Sequence, residues 1–349
     1  MSVVKEHFGV TPDGREVSVY TLDNGTVSAS VIDFGAILTE LCVPDRDGNV
    51  DDIVLGYPTL DGYLVNGCFF GATVAPSANR IAGASFTIGG KEYHMPVNDG
   101  ENNLHTDHDL GGHKKIWDAE IGDNAVKFTT SFADGDFGMP GNRTMSVTYT
   151  LTEDNAICLT YHAESDQDTI INPTNHTYFN LGGHASGKIY DQQLQLFCSA
   201  YTPVVKGAIP TGEIRAVGGT AFDFLTMKPI GKDIDQNDQQ LELVGGFDHN
   251  FVIDGYKGDG SLLKAACVVD EESGRVMEVE TTLPGVQFYA GNFVDGVGGK
   301  DGCDYGPRDG FCLETQFYPD TIHHENFPGC VFGPDHPYDS VTVYRFSTK

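Results

Sequence analysis

Between Val17 and Ile32 the chain alternates apolar and polar residues, breaks at Asp23-Asn24-Gly25, and alternates again. Such alternation is the two-residue period of a strand with one buried face, and an Asn-Gly pair supplies the positive backbone angles of a tight hairpin turn. The signal returns at Asp47-Gly48 and at Gly89-Gly90, the latter between alternating runs at 84–88 and 91–94. Glycine makes up 43 of 349 residues, about 12 % against a usual ~7 %, so turns of this kind recur along the whole chain. Further strands are expected at 127–132, 144–152, 156–164, 193–197, 262–269, 275–282, 288–292, 311–316 and 339–346. No long run has helical spacing, and 230–243 is the best candidate for a short helix. Residues 98–117 and 202–223 have loop composition, the second suited to wrapping a cleft. There is no internal repeat, low-complexity tract or linker. The pattern predicts an all-β protein, one large and mostly antiparallel β-sandwich with few short helices, as a single domain over 1–349.

Fifty acidic residues stand against 21 basic ones, a formal charge of −29. Phosphate binding needs clustered Lys and Arg, so nucleic acid and anionic membrane are not expected as partners. Eight cysteines (Cys42, Cys68, Cys158, Cys198, Cys267, Cys303, Cys312, Cys330) are scattered without a C-x-x-C pair. They read as buried free thiols. The first residues, Met-Ser-Val-Val-Lys-Glu-His-Phe, hold no apolar leader core, and no run is of membrane length. A cytoplasmic protein is expected.

The stretch that carries chemistry is 172–181, Asn-Pro-Thr-Asn-His-Thr-Tyr-Phe-Asn-Leu. Pro173 biases Asn172 toward an extended backbone, and from Thr174 the residues alternate as in a strand. His176, Tyr178 and Asn180 would share one face, with Thr177, Phe179 and Leu181 on the other. That pattern suits a strand lining a polar cleft above a core. On this stretch alone, a buried histidine satisfied by its neighbours is an equal reading. His105, His108 and His113 in the 98–117 loop lack the fourth ligand of a recognisable metal pattern, so no metal is expected there. Trp117, the only tryptophan, reads as an anchor of core or loop.

Five other segments accompany this stretch: Ala78-Asn79-Arg80-Ile81, Asn102-Asn103-Leu104-His105, Gly246-Phe247-Asp248-His249-Asn250-Phe251, Pro284-Gly285-Val286-Gln287-Phe288-Tyr289 and Cys312-Leu313-Glu314-Thr315-Gln316. In this order and at these separations, the six resemble the aldose 1-epimerase (galactose mutarotase) family, from about Val3 to the end of the chain. The resemblance implies a distorted sandwich with a cleft on its concave face, and a small aldose as ligand. It implies conversion between the α and β anomers of free hexoses such as galactose and glucose, with no cofactor and no metal.

That reaction moves two protons at opposite ends of one bond. A base takes the proton of the anomeric hydroxyl while an acid protonates the ring oxygen, and closure on the other face reverses both transfers. By resemblance Glu314 is the base and His176 the acid, and His105 is a second donor near the ring oxygen. Asn79, Arg80, Asp248 and Gln287 would hold the hydroxyls, with Tyr178 packed nearby. Asp248 capping a turn, and Arg80 serving only as its ion-pair partner, are the structural alternatives. Two segments depart from the family pattern. Ala75-Pro76-Ser77 stands where Gly-Arg usually precedes Ala-Asn-Arg, and Thr106-Asp107 stands where Gly-Gly usually follows the first His. Rival readings are a hexose-6-phosphate epimerase, a glycoside hydrolase using Asp248 and Glu314, and a sugar-binding module without catalysis. The expected assembly is a monomer or homodimer.

Overall fold

The computed structural model describes residues 2–349, and almost all of its regular structure is antiparallel strand. The largest sheet has nine strands in the order Asp118–Gly122, Ala125–Phe132, Arg143–Leu151, Ala156–Ser165, Tyr338–Thr348, Arg275–Thr281, Leu263–Val269, Gln193–Leu196, Lys228–Pro229. Its long strands alternate as the sequence does: in Ala125–Phe132, Val126, Phe128, Thr130 and Phe132 point inward and Lys127 and Ser131 outward. Phe128, Val147 and Tyr149 are fully buried on that inner face, and burying a side chain of this size contributes about 1.5–3 kcal/mol. Ser2–Val10, Glu16–Asp23, Ser28–Ile32, Ile37–Pro44 and Val50–Asp52 form an N-terminal meander, with the expected hairpins at Asn24-Gly25 and Asp47-Gly48.

A five-stranded sheet lies over the large one, in the order Arg215–Ala216, Ala200–Tyr201, Asp248–Val252, Gly285–Tyr289, Cys312–Gln316. Residues paired across an antiparallel ladder share a face. Asp248 pairs with Tyr289 and Gln287 with Glu314, and Asn250 pairs with Gln287. One face therefore carries Asp248, Asn250, Gln287, Tyr289, Cys312, Glu314 and Gln316, while the other carries His249, Phe251, Phe288, Leu313 and Thr315. The second face packs against the large sheet: the Tyr344 hydroxyl donates to the Leu313 carbonyl at 3.1 Å, and the Thr315 and Thr342 hydroxyls meet at 2.6 Å. The polar face is left to form a cleft.

Several expectations are corrected. In 230–243, only a 3-10 turn, Ile230–Lys232, and a six-residue helix, Gln239–Val244, form. Asp238 caps the helix through the Gln240 N–H and Gly245 ends it with φ +73°, while the Gln236 side chain bonds Asp233 and keeps the segment between them in a turn. Another short helix, Leu60–Val65, had no signal of its own and ends at Asn66, φ +32°. The strand expected from Thr174 to Leu181 spans only Thr174–His176, because the Asn175 side chain takes the Thr177 N–H and breaks the ladder. Phe179 then makes single bridges to Val54 and Phe311. All eight cysteines are free, but only Cys198, Cys312 and Cys330 are buried; the other five are partly exposed. Trp117 is buried, its indole N–H donating to the Gly112 carbonyl at 2.8 Å.

Candidate active site

The polar face of the five-stranded sheet forms one wall of a cavity of about 210 Å³. The loops before Ala72–Val74 and after it, together with the pair Arg80–Ile81 and Asn103–Leu104, close the other side. Asn79, Arg80, His105, His176, Tyr178, Asp248 and Glu314, from five separate segments, all line this cavity. Gln287 does not. It stands behind Asp248, donating from Nε2 to Oδ1 at 2.7 Å, and so orients that carboxylate. Asn180 also leaves the cavity, its amide donating to the Gly187 and Asp309 carbonyls. No residue of 202–223 lines the cavity; the stacking of Phe222 on Tyr201 at 4.4 Å draws that loop onto the apolar face instead.

Glu314 and His176 meet at the floor. Glu314 is 2 % exposed, and its Oε2, 3.7 Å from His176 Nε2, has no hydrogen-bond partner among the described residues. Burial raises the Glu314 carboxyl well above its usual range, and the nearby charge of Asp248 adds to this while Arg80 opposes it. Burial lowers His176 to about 4. The surroundings explain the dryness: the His176 ring lies 5.1 Å from Tyr178, 5.4 Å from His105, 5.8 Å from Phe69 and 6.4 Å from Tyr289. Its other nitrogen, Nδ1, is 3.6 Å from the buried Cys312 Sγ. Cys312 and Glu314, two residues apart on one strand, thus reach both nitrogens of one imidazole.

His105 is held by the backbone. Its Nδ1 accepts the Asn79 N–H at 3.1 Å, and its own N–H donates to the Asn79 carbonyl at 2.9 Å. Asn79, His105 and Thr106 have φ of +56°, +54° and +67°, each strained for a residue with a Cβ. A neutral ring accepting at Nδ1 carries its proton on Nε2. Burial, then the charges of His176, Arg80, His113 and His108, lower His105 well below the ordinary histidine value, so this neutral form dominates. Ligand atoms of His105, His176 and Glu314 lie within 4.8 Å of one another, a donor set of the type that holds zinc. A ring locked with its proton on Nε2, however, offers a hydrogen and not a lone pair.

Arg80 is not the ion-pair partner of Asp248. Its Nε donates to Asp99 at 2.8 Å. Asp248 is half-buried at the cavity edge, and burial raises its carboxyl, partly offset by Arg80 and the Gln287 hydrogen bond. His108 and His113 do not join a metal set; both pack on Phe69, and His113 Nε2 sits 3.1 Å from the His108 carbonyl. Sequence reasoning missed Gly67, Cys68, Phe69, Leu104, Tyr289 and Phe293 among the lining residues. Tyr289 was within reach, since alternation places it on the face of Gln287. Nothing in the sequence marks Phe69.

A sequence model of the family described as aldose 1-epimerase matches residues 18–345. The chain is 42 % identical over 349 residues to a galactose mutarotase of Bos taurus, covering 99 % of each chain. It is 36 % identical over 348 residues to an aldose 1-epimerase of Escherichia coli K12, again covering 99 % of each. Among solved structures, a GalM/aldose epimerase homologue from C. elegans superposes with a TM-score of 0.85 at 28 % identity, covering 99 % of both chains. A cavity lined by two histidines, two carboxylates, an amide and an arginine on a β-sandwich of this topology, matched over its full length by these relatives, places the chain in the aldose 1-epimerase family.

Proposed function

We propose that the protein interconverts the α and β anomers of free, neutral aldohexoses such as galactose and glucose, with Glu314 and His176 exchanging the two protons. Glu314 takes the proton of the anomeric hydroxyl as His176 gives one from Nε2 to the ring oxygen. The C1–O5 bond breaks, the aldehyde end rotates, and closure on the other face returns both protons. The pair carries one mobile proton, on His176 as imidazolium beside ionised Glu314 before opening and on the carboxyl beside a neutral imidazole after it. No net proton enters or leaves, and burial of both groups favours the second form. His105, a neutral Nε2–H donor, hydrogen-bonds the ring oxygen or its neighbour without titrating. Asp248, Arg80 and Asn79 hold hydroxyls, with Tyr178 packed beside His176. Gln287 works through Asp248.

The observation that carries this reading is the unpartnered, buried Glu314 Oε2 beside His176 Nε2. A sugar-binding module needs no such group, and leaving a carboxylate dry and unpaired is costly. Among the described residues Arg80 is the one cationic side chain lining the cavity, it is already paired with Asp99, and Asp248 and Glu314 stand beside it. A 6-phosphate would therefore meet more negative charge than positive. The eight free thiols support a cytoplasmic placement, and a site built within one chain supports a monomer or homodimer. Among the described residues no helix is long and apolar enough to cross a membrane.

Polarimetry on freshly dissolved α-glucose and α-galactose tests the proposal. Equilibration far faster than in buffer is expected, with kcat/KM for glucose exceeding that for glucose 6-phosphate. Rotation decaying at the buffer rate rejects catalysis, and a preference for the phosphate rejects the substrate assignment.

A further inference from the structure

The turn that carries Phe69 is built against ordinary backbone preference. Phe69 has φ +60°, a left-handed angle that a bulky side chain adopts only under constraint. Gly67 and Gly71 flank it within two residues and would take such an angle without strain. The constraint is visible. Phe69 donates its N–H to the Asn66 carbonyl at 3.0 Å and accepts the Ala72 N–H at 3.0 Å. The Asn66 side chain accepts the Phe70 N–H at 2.8 Å and donates to the Phe70 carbonyl at 3.1 Å. The Gly71 N–H donates to the His176 carbonyl at 3.1 Å, and Ala72 pairs with His176 across the ladder. The strained turn is thus bonded to the backbone of His176 itself.

What the strained angle achieves is the placement of one ring. The Phe69 centroid lies 4.9 Å from His105 and 5.8 Å from His176, and those two imidazoles stand edge to face at 5.4 Å and 83°. From behind, His113 at 4.7 Å and His108 at 5.7 Å hold the same ring. Phe69 is 9 % exposed and lines the cavity. We propose that Phe69 is a positioning residue of the reaction, a wedge whose ring fixes the mutual orientation of His105 and His176 and keeps water from between them. The inference rests on the reading of those histidines as the acid and the neutral donor at the ring oxygen, and it adds a residue whose side chain donates and accepts nothing.

The test uses Phe69→Leu, which keeps apolar bulk but loses the flat ring, and Phe69→Tyr, which keeps the ring. Assayed well below its melting temperature, the leucine variant should lose about 10- to 100-fold in kcat with KM within about threefold, because misplacement of reacting groups is felt in the transition state. The tyrosine variant should stay within about threefold of the parent. Equal losses in both variants, or a leucine variant with near-parental kcat, would overturn the proposal. Should Phe69→Leu fail to fold, Phe69→Gly removes the ring and the strain together and carries the same expectation for kcat.

A second readout does not depend on activity, so it separates this inference from the proposed function. Imidazole nitrogen shifts of His105 and His176 are followed against pH. The groups facing these rings are Arg80, His108 and His113 from the loops, Cys312 and Glu314 from the edge strand, Tyr289 from the Gly285–Tyr289 strand, and Tyr178 beyond the Thr174–His176 strand. None of them changes in the variants. Loss of the ring should move both titrations up toward the ordinary histidine value; unchanged titrations in the leucine or glycine variant would refute the wedge. A parent protein that fails in polarimetry but shows the titration shift leaves the wedge standing and sinks the function.

Discussion

At the scale of single residues, the proposed proton transfer rests on two side chains, of which burial makes one a weaker base and the other a weaker acid. Dry surroundings lower His176 to about 4 and raise Glu314, so a proton can pass between imidazole and carboxyl within the pair. Because the proposed step uses both groups together, Glu314→Gln and His176→Asn should each lose roughly 10²–10⁴-fold in kcat with the fold intact. The double variant should lose far less than the product of the two losses, as groups serving one step are not additive. A folded Glu314→Gln protein with near-parental kcat removes the base, and with it the mechanism. Seven of the eight site residues expected from the sequence line the cavity. The exception, Gln287, shows the limit of motif reading: alternation gives the face on which a residue lies, not how far along that face the cavity extends. Asp248, which Gln287 hydrogen-bonds, and Tyr289 line the cavity in its place.

At the scale of elements, legibility followed hydrogen bonding. Hairpins with Asn-Gly or Gly-Gly turns and the long alternating strands were readable because period and turn chemistry agree locally. The helix expected over 230–243 shrank because Asp233, Gln236 and Asp238 bond their own neighbourhood. The 66–72 turn was unreadable because its shape comes from the packing around it. Gly71 shows this best. At φ +65° a Cβ would lie 1.9 Å from the Leu38 carbonyl oxygen, and neither backbone can yield. Gly71→Ala should therefore cost about 3 kcal/mol or more in urea denaturation. Gly67→Ala, where a Cβ meets open space, should stay within about 0.5 kcal/mol. Equal stability of the two variants would mean that the turn is not fixed by its contact with Ile37–Pro44.

At the scale of the whole molecule, buried histidines set the response to acid. His176 is lowered to about 4 and His113 and His249 to about 3, all by burial. Between these values and the ordinary 6.5 the unfolded chain binds protons that the folded one does not, so stability falls as pH falls through that window. The raised carboxyls of Glu314, Asp248 and Asp33 act in the opposite sense, favouring the folded state as they protonate. With His105, lowered in the same sense, four buried histidines stand against these three carboxyls. The urea midpoint should drop steadily from pH 6.5 toward 4, and a flat midpoint would show that these rings are hydrated. The nine-stranded sheet has a different consequence. Tyr338–Thr348 lies between Ala156–Ser165 and Arg275–Thr281, joining two groups of four strands that do not otherwise pair with each other. During translation, then, the growing chain has two half-sheets with open edges, and the strand bearing Glu314 lacks the backing of Thr342 and Tyr344. Neither half can be sealed until residue 348 has cleared the ribosome's exit tunnel. A premature stop codon only a dozen residues early would release a nearly full-length polypeptide whose two halves have nothing to clasp them.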